Sequence, residues 1–205
     1  VRIASSEWLE ALRLKCNETG TLLIFDEIQT GMGRTGRLFA FEHYGVIPDL
    51  LVLGKALGGG MPMGALIARK ELMQLFTHAP MLGHITTFGG HPVPCAAGAA
   101  FLEVIRDEMD WKEVEAKGAY LEKGLQHTVV KEIRRKGLMF AVDLESFEKV
   151  KSVVDYCLQH GVLTFWFLST DYAFRLSPPL NISYPELDEA MDTIQRGFDL
   201  AENKI

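Results

Sequence analysis

Lys55 is the only charged residue in the run Leu51-Val52-Leu53-Gly54-Lys55-Ala56-Leu57-Gly58-Gly59-Gly60. The apolar lead-in predicts a short buried strand, and the glycines after it predict a loop that backbone or ligand approaches closely. An ammonium placed there loses part of its hydration, which favours the neutral amine. A neutral lysine is a nucleophile, and its usual partner is a carbonyl, with which it forms a Schiff base. A lysine at a strand end that snorkels to solvent leaves the same local pattern. A second chemical group has to decide between the two.

That group lies 29 residues upstream. The apolar run Leu22-Leu23-Ile24-Phe25 ends in Asp26-Glu27, and a loop punctuated by Gly31, Gly33 and Gly36 follows. The pattern predicts a buried parallel strand delivering Asp26 to its carboxyl end. Ligands of open α/β sheets bind beyond the carboxyl ends of strands, so Asp26 and Lys55 are expected to face one crevice. Their separation suits a single strand, crossover and strand unit. An apolar run ending in two acids is also the Walker B pattern of nucleotide hydrolases. Its partner, a Gly-x-x-x-x-Gly-Lys-Ser/Thr loop, does not occur in these 205 residues.

Four ordered segments, LLIFDEIQTGMGRTG, LVLGKALGGGMPMGA, TTFGGHP and RLSPPL, resemble those of pyridoxal-phosphate aminotransferases of fold type I, class III. That group includes the ornithine, acetylornithine and 4-aminobutyrate aminotransferases. The resemblance implies that Lys55 anchors pyridoxal 5'-phosphate and then acts as general base once a substrate amine displaces it. It implies that Asp26 keeps the pyridine nitrogen protonated and that Gln29 bonds the phenolic oxygen. Glu27 is expected in a supporting role, bonding backbone.

In Thr86-Thr87-Phe88-Gly89-Gly90-His91-Pro92 the resemblance implies that Thr87, with Thr86 beside it, donates to the cofactor phosphate of a neighbouring subunit. A homodimer with composite sites follows. Thr86 and His91 stand where the family has serine and asparagine, and His91 is expected to bond backbone rather than to act in catalysis. Arg175 matches the arginine of the last segment, whose fork suits a substrate carboxylate. The expected reaction moves an amino group from an ornithine- or acetylornithine-type donor to 2-oxoglutarate. Other chemistry on the same electron sink (aminomutase, decarboxylase or epimerase), or a folded module without catalysis, is the alternative.

The elements that must position these residues read as alternating helix and strand. A helix from Ser5 or Ser6 to about Asn17 precedes the Thr21–Phe25 strand. Strands follow at Leu50–Leu53 and Met63–Ala68, then a short helix at Glu71–Thr77 and a long one through the small residues Cys95–Ala100 to about Asp110. A charged amphipathic helix is expected from Trp111 to about Val130. Beyond it come strands at Gly137–Leu144, Gly161–Phe165 and Tyr172–Leu176, with helices at Phe147–His160 and Pro185–Glu202.

This is an α/β chain: part of a large, mainly parallel-sheet domain over 1–95, then a linking helix and small α+β domain over 96–205. Val1 is not a start methionine, and the family's chains are about twice as long, so the sequence reads as an excised piece expected to be inactive alone.

Composition narrows the classes. A net charge of −6 with 48% hydrophobic and 23% charged residues describes a globular chain with no basic stripe for nucleic acid. Cys16, Cys95 and Cys157 lack metal or redox spacing and suit a reducing cytoplasm. No run reaches about 18 apolar residues, so no membrane span is expected.

Overall fold

Ser5 starts the first helix, α1 (Ser6–Thr19), by accepting a hydrogen bond from the Trp8 amide at 3.2 Å. The computed structural model describes residues 1–167 and 169–202. It divides into two units, one of residues 4–33 and 37–109, the other of 1–3, 34–36 and the chain from Asp110. The domain change expected within the long helix after Pro92, near 95–96, compares with a division of the chain after Met109, at that helix's end.

In the first unit, β1 (Ile24–Asp26) pairs in parallel with β2 (Leu50–Leu53), which pairs antiparallel with β3 (Ala65–Ala68). Leu9 and Cys16 of α1 pack with Leu23 and Val46 beneath the sheet, joined by Phe25 and Tyr44. β1 was expected to be buried. It is instead an edge strand, with Ile24 55% exposed, because β2 covers only one of its sides among the described residues. Met63 and Gly64 precede β3 rather than belonging to it. After β3 come the short α2 (Lys70–Gln74) and the long α3 (Pro92–Glu108).

Asp49 ties this unit together. Its carboxylate accepts from the Leu23 amide and from the Arg13 guanidinium, both at 2.8 Å. The Leu23 amide and then Arg13 hold its pKa below the ordinary aspartate value of 3.8. A depressed pKa stabilises the folded state fully above the unfolded value and loses that contribution as pH falls through the folded one. Acid unfolding followed by circular dichroism should therefore show a loss of stability below about pH 4 that Asp49→Asn lacks.

In the second unit, α4 (Trp111–Gly124) leads to the antiparallel sheet β4 (Glu132–Lys136), β5 (Met139–Asp143), β6 (Phe165–Phe167) and β7 (Thr170–Leu176), in the order β4-β5-β7-β6. The helix α5 (Phe147–Gln159) packs on β6 and β7, and α6 (Tyr184–Glu202) packs on α5 and α4. Val150, Val153, Val154 and Cys157 form one buried stripe and Leu187, Ile194, Phe198 and Ala201 another; Phe140, Val142 and Phe174 of the sheet are buried as well, and the Phe198 ring lies 6.1 Å from that of Phe174. Each fully buried phenylalanine contributes about 2 kcal/mol or more. Burial pushes the Cys157 thiol up to about 11, as befits an inert structural thiol.

The α4 helix stops short of Val130, and the strand that follows it reads in sequence only as a basic cluster. Arg134 in β4 forms a fork with Asp143 at 2.6 and 2.7 Å, and Arg135 bonds Glu115 and Glu122. Ion pairs do for β4 what an apolar face does for an ordinary strand. The strand expected at Gly161–Phe165 begins at its end, Phe165, and β7 starts two residues before Tyr172.

Candidate functional site

The register of β1 on β2 sets Asp26 opposite Val52, three residues before Lys55. Parallel neighbours lie about 4.8 Å apart, so the two chemical residues leave adjacent strands at the same carboxyl edge. Gly54 completes the approach: a Cβ there would stand 3.3 Å from the Ile28 side chain, so the chain just past Asp26 and the chain just before Lys55 nearly touch. Both residues thus follow the carboxyl ends of neighbouring parallel strands, as their spacing suggests.

Lys55 opens a 3-10 turn (Lys55–Gly58) with φ of 46°. That left-handed backbone costs a residue bearing a Cβ about 1 kcal/mol, and such strain tends to persist where it serves function. Among the described residues the ammonium makes no hydrogen bond or ion pair, and it is exposed rather than desolvated as the apolar run suggested. The turn itself is buried through Leu57 and Gly58, so the backbone is fixed while the side chain stands free.

Asp26 uses one carboxylate oxygen, Oδ1, to accept from the Ile28 amide at 3.0 Å. Oδ2 has no partner among the described residues. Gln29 is exposed, and its amide is likewise without a hydrogen bond among them. Glu27 differs from both. It is 3% exposed, and its carboxyl accepts from Thr30 Oγ1 at 2.5 Å, Ala40 N at 2.9 Å and Phe41 N at 2.8 Å.

Glu27 thus shapes the loop after the strand, the supporting role expected of it. Burial first, then the Glu27 charge, raises the pKa of Tyr44. Glu27→Ala would leave three part-buried donors without their partner, so thermal melts should report a loss of about 3 kcal/mol, with Glu27→Gln costing less.

Thr86 and Thr87 lie in an exposed loop before α3, where the Thr86 carbonyl accepts from the Gly89 amide at 3.1 Å. His91 caps α3, its Nδ1 accepting from the Val93 amide at 3.2 Å, so this histidine serves backbone as expected. Arg175 belongs to β7 in the other unit. Its backbone pairs with Ala141 and Phe165, and its guanidinium carbon lies 5.8 Å from the Phe165 ring centre. It has no acidic partner among the described residues, which leaves its fork available for a carboxylate.

Two features escaped sequence reasoning. Arg34 donates to the carbonyls of Leu138 at 3.2 Å and Pro178 at 2.6 Å, and burial lowers its pKa. Gly98 in α3 meets the turn that carries Lys55.

A family model described as aminotransferase class-III matches residues 1–198. The chain belongs to the class-III aminotransferase family. The class-III chain is 42% identical over 196 residues to an acetylornithine aminotransferase of Caldanaerobacter subterraneus subsp. tengcongensis, covering 93% of this chain and 48% of that protein. It is 38% identical over 218 residues to a putrescine aminotransferase of Pectobacterium atrosepticum, covering all of this chain and 46% of that one.

The crystal structure of the ornithine aminotransferase from Toxoplasma gondii ME49 superposes with a TM-score of 0.88 at 34% identity, covering 98% of this chain and 49% of that one. These matches establish the fold as type I. The class-III chain spans about half the length of the curated relatives it matches.

Pyridoxal phosphate is the family's cofactor, and a further Toxoplasma gondii ornithine aminotransferase structure holds it at partial occupancy. The residues present suit it: among the described residues, an amine without a partner on a fixed turn, a carboxylate with one unbonded oxygen at the end of β1, and an unbonded amide in the turn that follows. Among the described residues no cluster of metal-ligating side chains occurs, and no helix is long and apolar enough to cross a membrane.

Proposed function

We propose that the protein to which this chain belongs transfers an amino group from an ornithine- or acetylornithine-type donor to 2-oxoglutarate, in the cytoplasm, as a homodimer using pyridoxal phosphate. The observation that carries this reading is the pairing of Asp26 and Lys55 at one sheet edge, each with its functional atom free. Bound there, pyridoxal phosphate supplies an electron sink for charge developing on the substrate carbon.

With the cofactor bound, Lys55 Nζ would be the amine that anchors it and, once displaced by a substrate amine, the general base that carries the substrate-carbon proton. Asp26 Oδ2 would keep the cofactor's ring nitrogen protonated, while Oδ1 stays on the Ile28 amide and fixes the carboxylate's rotation. Gln29 would donate to the cofactor's phenolic oxygen, Thr87 and Thr86 to the phosphate held by a partner subunit, and Arg175 would receive a substrate carboxylate.

Product analysis with the full-length protein tests the reading. Incubation with 2-oxoglutarate should yield glutamate from N-acetylornithine or ornithine. Putrescine as a third donor checks the lesson of the putrescine-enzyme relative. Failure of every amine to yield glutamate would direct attention to the other chemistries of this fold. The 205 residues alone should show no stoichiometric visible band with added cofactor; a full band with turnover would contradict their proposed inactivity.

A further inference from the structure

The turn that carries Lys55 is held by α3 through backbone-to-backbone contact. A Cβ added at Gly98 would stand 2.7 Å from the Leu57 carbonyl oxygen and 3.2 Å from Met63 Sδ. One added at Gly59 would stand 2.5 Å from the Ala97 carbonyl oxygen and 3.1 Å from the Phe101 Cβ. The two glycines are reciprocal: each lacks a side chain where the other strand of the contact presents a carbonyl. Within the turn, the Leu57 amide bonds the Gly54 carbonyl and the Gly59 amide bonds the Ala56 carbonyl, both at 3.0 Å.

Leu57 is 4% exposed and cannot swing outward without exposing its side chain. A displacement at Leu57 therefore passes two residues back to Lys55, whose left-handed backbone has little room to absorb it. The same helix begins at the cap His91, directly after the loop of Thr86 and Thr87.

We propose that Gly98, with Gly59, is a positioning residue: its missing side chain sets the depth of the 3-10 turn on α3 and thereby the place of Lys55 Nζ. The proposal rests on the reading of Lys55 as the cofactor-bearing lysine. Small residues in a helix are ordinarily read as allowing close helix packing; here the closeness serves a catalytic turn.

The test compares Gly98→Ala with Gly118→Ala in the full-length holoenzyme. Gly118 lies in α4, where a Cβ would run into the Gly137 carbonyl, so it carries a comparable backbone clash remote in sequence from the lysine turn. The readouts are melting temperature, kcat and KM, and the pH midpoint of the visible band of bound cofactor. Gly98→Ala should lower kcat roughly 10- to 100-fold with KM near the wild-type value, as a sub-ångström misplacement of a reacting group does. It should also displace the pH midpoint. Gly118→Ala should lower the melting temperature and leave kcat and midpoint at wild-type values.

Gly58→Ala gives a milder push on the same turn, since its Cβ would meet the Met63 Cβ at 3.2 Å. It should fall between wild type and Gly98→Ala, and it decides the matter if Gly98→Ala does not fold. Wild-type kcat and midpoint in both turn variants would overturn the positioning role while leaving Lys55 in place. A wild-type protein with no visible band reducible onto the Lys55 peptide would overturn the underlying reading, and the positioning role with it.

Discussion

Lys55→Ala should abolish covalent capture of pyridoxal phosphate: borohydride reduction of the wild-type protein labels the peptide containing Lys55, and the variant stays unlabelled. Turnover should fall by roughly 10²- to 10⁴-fold or more from the loss of proton transfer alone. The fold is expected to survive, because the side chain is exposed and makes no polar contact among the described residues. Alanine at a φ of 46° carries about the same backbone strain as lysine, so the melting temperature should move little. Lys55→Gly would relieve that strain and be no less stable, yet equally inactive. A variant still reducible onto the same peptide would remove Lys55 from the chemistry.

The site was legible in sequence where chemistry and local pattern coincide. Apolar residues leading to Asp26 and to Lys55 marked two strand ends, and parallel pairing of β1 with β2 follows from that marking. His91 read correctly as a backbone partner, although the sequence reading set it in a loop and the structure makes it the cap of α3. What stayed hidden depends on residues far apart in the chain. Gly98 meets Leu57 across 41 positions, and no local pattern separates a glycine that lets a helix approach the Lys55 turn from one that lets it approach another helix.

Strand β4 was missed for a different reason. Its Arg134 and Arg135 are neutralised by Asp143, Glu115 and Glu122, so a strand stabilised by ion pairs shows none of the period-two hydrophobicity by which strands are recognised. The exposure of β1 was equally invisible. Apolar residues show that a strand suits burial, while its covering comes from elsewhere, and Ile24 is open beside a strand paired on one side only.

Asp26→Asn isolates charge from shape. The asparagine carbonyl can keep the bond from the Ile28 amide, so the side chain should retain its rotation and the fold its melting temperature. What changes is the second atom, which becomes an NH₂ donor facing a pyridine nitrogen that must itself carry a proton. Two donors cannot bond each other, and the protonated ring loses its counter-charge. The electron sink then weakens at the step where the substrate carbon gives up its proton. Removing one preorganised electrostatic partner of this kind costs roughly 10²- to 10³-fold in kcat. Asp26→Ala should be at least as damaging, since it also frees the Ile28 amide. Asp26→Glu should recover part of the rate, limited by a longer side chain whose carboxylate no longer reaches the Ile28 amide in the same geometry. Borohydride labelling at Lys55 should persist in all three, because the lysine and its turn are untouched. Steady-state rates and labelling measured together discriminate: kcat within a few-fold of wild type in Asp26→Asn would show that some other group holds the ring proton.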